Sequence, residues 1–422
     1  MSLDFAEERR GDKGSSSLVA QQAVTSLDDL AAVSRELNQV ISTYAEVFVG
    51  REKEVRLMVL SLVSKEHILM VSPPGTGKTM MRWVAESFDF KFFYHLLNYD
   101  SKLEDLVAVP KVKRVRRGDE ELIDLDYELR SPGLATAEVV YLDELFKANT
   151  AVLNATLGLI NERVITLGNK EIKVPLWTLI GASNEIPEEQ SLQAFVDRFL
   201  FRDFIEYLSE DMWYQYVIKY WTEHQQRQQP GYSSVRVKVP QEVVKKANNL
   251  VYSVDVYGVL DDYLKTLKKL KEKGVEVSDR RKGRALKAVA SSAVLDGRDY
   301  ADVTDLEVLL YTVPRSKGEL EVVSKVVDEV LGGVLKVREE LTSMRSQLRG
   351  LKDKLRSMPL EELKRVSDTI HSAESRIIQL STPSLSRLVE DVQREIAEVK
   401  TVLPDIVSQK ILEKAGIKVV EL

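Results

Sequence analysis

Apolar residues arrive in two rhythms along the chain. Up to about residue 208 they come as short runs, HILMVS at 67–72, DFKFFYHL at 89–96, EVVYLD at 138–143, WTLIGAS at 177–183 and FLFRDFI at 199–205. Such runs, separated by amphipathic stretches, predict buried parallel strands alternating with helices, an α/β core over 27–208. From 209 to 316 the spacing turns helical and predicts a smaller helical domain. There AVASSAVLDG at 288–297 runs into Gly297 as a stop, and VTDLEVLL at 303–310 has Thr304 in position for an N-cap.

Beyond 316 the rhythm becomes strict. From Val323 through Leu341 and Leu348 to Met358, apolar residues alternate steps of four and three, a heptad seam over about five repeats. Pro359 stops it; the seam resumes from Leu363 to Leu380, breaks at STPS with Pro383, and resumes from Leu385 to Leu403. Short connections between long helices make antiparallel neighbours, so residues 317–422 are expected to form a three-helix antiparallel coiled coil. The Gly332–Gly333 pair, each glycine costing a helix about 1 kcal/mol, is placed for a bend.

Composition narrows the function classes. Sixty Lys and Arg against 66 Asp and Glu give a net charge of −6, which offers no general attraction to nucleic acid or anionic membrane. The chain has no cysteine, which excludes disulfides, thiolate metal sites and a cysteine nucleophile. No stretch approaches a membrane span and the polar N-terminus lacks the apolar core of a secretory signal, so the expected compartment is the cytoplasm. Residues 1–26 are expected to be a flexible tail. The four histidines, His67, His95, His224 and His371, lack ligand-like spacing.

Chemistry enters at SPPGTGKT, residues 72–79, directly after an apolar run and before the helical stretch TMMRWVAESF. A phosphate loop needs glycines for close approach of backbone amides, a lysine for the β- and γ-phosphates, and a hydroxyl for Mg²⁺. Pro74, Gly75, Thr76, Gly77, Lys78 and Thr79 occupy those positions, with Ser72 where the full pattern has its first glycine. Downstream, Asp143 ends an apolar run, placed to hold a Mg²⁺ water shell, and Glu144 beside it is placed to take a proton from attacking water. An Asp-Glu pair is also an ordinary helix cap. WTLIGASN ends in Asn184, a ligand-site amide or a turn residue, and LQAFVDRFLFR sets Arg198 and Arg202 beside the last apolar run.

In this order the motifs resemble the AAA+ ATPases, and within them the RavA-like members of the MoxR family. The matching text is VGRE at 49–52, SPPGTGKT, VVYLDELFKA, AVLNATLGLINER, GASNE, AFVDRFLFR and SDRR at 278–281, together covering roughly residues 45–312. The resemblance implies a five-stranded core, a helical lid, and assembly into rings, usually hexamers, with ATP bound between neighbours. It also implies a von Willebrand factor A (VWA) partner and a chaperone-like role on a protein client. Carried over by position, Lys78 binds phosphate, Thr79 and Asp143 handle Mg²⁺, Glu144 polarises water and Asn184 is sensor 1. Arg198 resembles the arginine finger that reaches a neighbour's nucleotide, with Arg163 as the alternative. Sensor 2, a lid arginine on the γ-phosphate, is Arg280 or Arg281, and Arg284 is also offered. Gly50 and Arg51 resemble the segment over the adenine.

Two excursions suit this clade. VITLGNKEIKV at 164–174 alternates as a hairpin about Gly168–Asn169. KVKRVRRGDEE at 111–121 clusters Lys111, Lys113, Arg114, Arg116 and Arg117 before a Gly118–Asp119 turn: a solvated hairpin, or a grip on an acidic client or nucleic acid in a ring opening. The function expected is Mg²⁺-dependent ATP hydrolysis driving remodelling of a protein complex. The alternatives are a nucleic-acid-stimulated motor and a slow nucleotide-gated scaffold.

Overall fold

The computed structural model describes residues 16–117, 120–167, 170–187, 189–229, 231–355, 358–381 and 385–414. In chain order the elements begin with α1 (Ser16–Val47), α2 (Glu52–Ser64), β1 (Ile68–Val71), α3 (Arg82–Glu86), β2 (Phe92–Leu96), α4 (Leu103–Val107), β3 (Ala108–Arg117) and β4 (Glu120–Leu129). Next come β5 (Val139–Asp143), α5 (Thr150–Glu162), β6 (Val164–Leu167), β7 (Lys170–Lys173), β8 (Thr178–Ser183), α6 (Gln190–Val196) and β9 (Phe201–Phe204). Helices follow: α7 (Glu210–Arg227), α8 (Gln241–Val251), α9 (Leu260–Glu272), α10 (Asp279–Leu295), α11 (Leu309–Thr312), α12 (Lys317–Lys354), α13 (Leu360–Leu380) and α14 (Ser386–Lys414).

The five expected apolar runs form one sheet in the order β2-β5-β8-β1-β9. Every pairing in it is parallel, with Ile68 opposite both Ile180 and Phe201, and Val139 opposite both Phe92 and Thr178. Strands β1, β5, β8 and β9 are buried at every position, which is why β1, β5 and β8 read as runs rather than alternating patterns, while β9 buries the charged Arg202 and Asp203 between two phenylalanines. All five strands point the same way, so the loops that follow β1, β5 and β8 share one edge of the sheet. That edge is where ligands of open parallel sheets bind.

The chain divides into two compact units. One comprises residues 1–254, 277–300 and 308–320; the other comprises 255–276, 301–307 and 321–422. The units cut across the expected boundaries at 208 and 316, because α8 and α10 pack on α1 and α2 while α9 belongs with the C-terminal helices. Residues 16–26, expected to be tail, are the first turns of α1, in keeping with the helix formers Leu, Ala and Gln in that segment. The other expected tail residues, 1–15, lie outside the described residues. Helix α10 does end before Gly297, which takes φ +73. The expected cap at Thr304 is instead Asp302, two residues earlier, whose Oδ1 accepts from Thr304 N at 2.8 Å and also from the Thr304 hydroxyl, which is thereby engaged.

In the second unit the heptad positions Leu341, Leu348, Leu355, Val366, Ile370 and Ile377 are buried. Ion pairs Arg345–Asp391 and Lys352–Glu398 advance seven residues together, so α12 and α14 run parallel, with α13 returning between them through Arg376–Glu340. Helix α12 passes through Gly332–Gly333 as one span. Of the STPS connection, residues 382–384 lie outside the described residues.

Candidate functional site

The phosphate loop leaves β1 at Ser72. Gly75 and Gly77 take φ +82 and +92, backbone that a side chain would strain, so the glycines are needed here. The departure at Ser72 is accommodated within the loop: its Oγ lies 2.7 Å from Thr76 Oγ1, and its carbonyl accepts from Lys78 Nζ at 3.1 Å. Lys78 is buried and opens a 3-10 turn, Lys78–Met81, that leads into α3. Tyr141 on β5 donates to the Lys78 carbonyl at 2.6 Å and ties that turn to the next strand but one. Thr79 lies in the same turn; its side chain is outside the described residues.

Lys78 and two side chains from other loops, Asn184 and Glu144, form a chain of contacts. Lys78 Nζ donates to Asn184 Oδ1 at 2.5 Å, and Asn184 Nδ2 donates to both carboxylate oxygens of Glu144, at 3.2 and 3.3 Å. Burial draws the Lys78 ammonium below its ordinary range, against the carboxylates of Glu144 and Asp143. Glu144 adopts φ +53, an uncommon conformation for a residue other than glycine, as the chain turns sharply off β5. Lys147 Nζ stands 3.5 Å from its Oε2. Asp143 is buried, accepts from the Glu144 amide at 3.0 Å and from the Tyr94 hydroxyl at 3.4 Å. A buried carboxylate at this edge is the hard oxygen donor that Mg²⁺ takes through its water shell. Among the described residues no cluster of three or more His, Cys, Asp or Glu could hold a metal by itself.

A cavity of about 410 Å³ opens beside the loop, lined by Gly75, Gly77, Arg51 and, from α7, Trp213, Tyr216 and Tyr220. Gly50 takes φ +65, and a Cβ there would lie 2.6 Å from Met212 Sδ and 2.8 Å from Leu208 Cδ2. Arg51 donates to the Glu206 carbonyl at 2.8 Å, and Tyr207 donates to that of Pro74 at 3.1 Å. The α7 aromatics were missed at the motif level, although the run MWYQYVIKYW is far denser in aromatic residues than a lid helix needs for packing.

The arginines gather elsewhere. A second cavity, about 520 Å³, is lined by Glu66, His67, Arg163, Arg198, Arg280 and Arg284. His67 precedes β1 and Arg198 precedes β9, so this cavity lies at the amino edge of the sheet, opposite the phosphate loop. At about 3.3 Å per residue, the short strands set the two edges about 13 Å apart. Arg198 Nε is buried with no hydrogen-bond partner. Arg163 Nη1 lies 3.0 Å from Nε2 of the buried His67, whose Nδ1 accepts from Leu179 N.

The three lid arginines have different fates. Ser278 caps α10 by accepting from Arg281 N, and successive helical residues then point about 100° apart. Arg281 points inward: it is 5% exposed and donates to Asp197 Oδ1 and to the carbonyls of Asp197, Phe199, Leu200 and Thr312. Its donors are thus spent inside the fold, which corrects its reading as a γ-phosphate sensor. Burial alone would raise the Asp197 carboxyl, but Arg281 and Arg202 outweigh it and hold it below its ordinary range. Arg284 is paired with Glu66, while Arg280 is exposed and makes no hydrogen bond or ion pair with the described residues.

In the β3–β4 hairpin, Lys111, Lys113, Arg116 and Arg117 stand in register opposite Asp126, Asp124, Glu121 and Glu120. Of the basic run only Arg114 stands opposite an apolar residue, Ile123. The turns at 118–119 and 168–169 lie outside the described residues.

Known proteins share this architecture. Residues 35–243 match the model of the MoxR domain found in MoxR-vWA-beta-propeller ternary systems, and residues 258–327 match an AAA lid domain. An uncharacterised protein of Methanocaldococcus jannaschii is 31% identical over 84% of this chain and 94% of its own length. Chaperone MoxR1 of Mycobacterium tuberculosis is 28% identical over 44% of this chain and 48% of its own. The crystal structure of a candidate ATPase from Cytophaga hutchinsonii shares the fold, with a TM-score of 0.57 over 74% of this chain and 97% of that one at 17% identity. Likeness that runs through the sheet and continues into the lid makes this chain a member of the MoxR family of AAA+ ATPases.

Proposed function

We propose that this protein hydrolyses Mg²⁺-ATP at a seam between copies of itself and uses the resulting movement to remodel or assemble a protein client. The observation that carries the reading is the separation of parts: Lys78, Glu144 and Asn184 meet at one edge of the sheet, while Arg198 and Arg280 lie at the other. An arginine one strand-length from its own phosphate loop serves a nucleotide held by a second copy, and repetition of that contact builds a closed ring, which we take to be a hexamer.

In this scheme the amides of Pro74–Lys78 and the Lys78 ammonium hold the triphosphate. Glu144 accepts a proton from water as its oxygen attacks the γ-phosphorus and the bond to the β-phosphate oxygen breaks, giving ADP and phosphate. Asn184 holds Glu144 and the water in line. Arg198 of the second copy, with Arg280 or Arg163 beside it, offsets charge that grows on the γ-phosphoryl oxygens. Mg²⁺, when bound, would neutralise the β- and γ-phosphates, with Asp143 and Thr79 as its protein donors. Release of phosphate then removes contacts that joined two copies, and the copies shift.

A VWA protein is the proposed partner, in line with the ternary systems for which the matching MoxR domain is named, and the chaperone role is in line with MoxR1. The opposed charges of β3 and β4 argue against nucleic acid as the client. No described helix is long and apolar enough to cross a membrane, and the proposed compartment is the cytoplasm. Phosphate release from Mg²⁺-ATP tests the proposal: it should rise on adding a VWA protein and stay flat on adding DNA or RNA. A salt-sensitive rise with nucleic acid would instead favour a nucleic-acid motor.

A further inference from the structure

Strands β3 and β4 pair only with each other, in an antiparallel ladder that runs from Ala108 opposite Leu129 to Arg117 opposite Glu120. Each strand therefore keeps one edge whose backbone amides and carbonyls have no ladder partner among the described residues. An open edge of ten residues is a template for another strand.

Strand alternation sorts the ladder by face. Lys111, Lys113 and Arg117 share one face with Asp126, Asp124 and Glu120, so basic positions follow the β3 edge and acidic ones the β4 edge. On that face the exposed Lys111 forms an ion pair with Glu128 of β4. The opposite face carries Val112, Ile123 and Leu125. A lone two-stranded ribbon with an apolar face is marginal in water, and a third strand is what stabilises it.

Charge decides which strand fits. A second copy that laid β3 beside β3 would set basic positions against basic ones, and β4 beside β4 would set acids against acids, both of which repel. Only β3 beside β4 alternates the signs. That contact is head-to-tail, and copies rotated about an axis along the strands present β3 and β4 to each other antiparallel, the direction already used within the hairpin. Repeated around a closed ring, it leaves no open edge.

We propose that the β3–β4 hairpins of neighbouring copies pair edge to edge, basic β3 against acidic β4, in a continuous antiparallel collar. This rests on the ring reading given above and adds to it a backbone contact at each seam, apart from the arginine that reaches the nucleotide.

The chain has no cysteine, so introduced thiols report the contact without background. Full-length Lys113→Cys is mixed in Mg²⁺-ATP, under mild oxidation, with Asp124→Cys, or with Leu122→Cys or Asp126→Cys to cover a register shift of two residues. Each chain carries a single thiol, so a disulfide can only join two copies. At least one mixture should shift protein to a covalent dimer on a non-reducing gel, a band that each variant alone should lack. Wild-type rings in sedimentation, with no covalent dimer in any mixture or with as much in the single variants, would overturn the collar and leave the ring standing. A wild-type chain that sediments as a monomer with Mg²⁺-ATP would overturn the ring reading itself.

Discussion

The side-chain amide of Asn184 donates to both carboxylate oxygens of Glu144 while its oxygen accepts from Lys78. One planar amide therefore joins the ammonium that grips phosphate to the carboxylate proposed to take the proton. Replacing it should uncouple the two without removing either. Asn184→Ala is expected to lower kcat about 100-fold with little change in nucleotide affinity, as for loss of one preorganised donor. Steady-state kinetics beside equilibrium binding would separate this from a general loss of the site.

Lys78 and Glu144 should fail differently. Lys78→Ala removes a buried cation from the phosphate loop and is expected to weaken ATP binding at least about tenfold. Glu144→Gln keeps the shape and the contact to Asn184 but not the base, so binding should persist while turnover stops. Equal ATPase rates for Glu144→Gln and wild type would contradict the assignment.

The position of Arg198 at the far edge of the sheet predicts rescue in trans. Arg198→Ala alone should lose about 10³-fold in turnover. Mixed with Glu144→Gln subunits, which retain the arginine, activity should return in part, because some seams then combine an intact site with an intact finger. Mixtures that stay inactive across all ratios would remove Arg198 from this role.

Neighbouring lid arginines should separate stability from activity. Arg281→Ala leaves Asp197 and several carbonyls without their donor in a buried network and should cost about 3–5 kcal/mol in denaturant unfolding. Arg280→Ala, at an exposed position, should stay within about 0.5 kcal/mol of wild type yet lower ATPase activity. The reverse pattern would return Arg281 to the nucleotide.

A pH dependence of stability follows from Asp203 on β9. Burial pushes its carboxyl up to about 6 from an ordinary 3.8, even with Lys53 Nζ at 3.2 Å. A raised acid binds its proton more tightly in the folded state. Its contribution is therefore complete below pH 3.8 and is lost as pH rises through about 6. Relative to Asp203→Asn, the wild type should lose about 2 kcal/mol of stability between pH 4 and pH 7. Urea unfolding of both proteins across that range measures it, and parallel curves would refute it.

Local pattern was enough for much of this protein. Strands inside a parallel sheet are largely apolar, so β1, β5 and β8 were legible as runs, as were the more mixed β2 and β9 and the heptad seam now buried at Leu341, Leu348 and Ile370. A phosphate loop is a contiguous stretch whose chemistry depends on neighbours in sequence, so Lys78 could be read directly, and Asp143 and Glu144 followed once a strand was seen to end there.

Tertiary structure decided what depends on direction. Whether Arg280 or Arg281 faces outward turns on about 100° of helical rotation set by the Ser278 cap and by Asp197, which lies more than 80 residues away. The start of α7 meets the α1–α2 turn only because Gly50, remote in sequence, leaves room for Leu208 and Met212. That acids on β4 stand opposite most of the basic run on β3 rests on a strand register that composition alone does not contain. Contiguous motifs and periodic faces are determined by the chain itself; the partners of a charge, and the side of the sheet on which it stands, are settled only when distant segments pack.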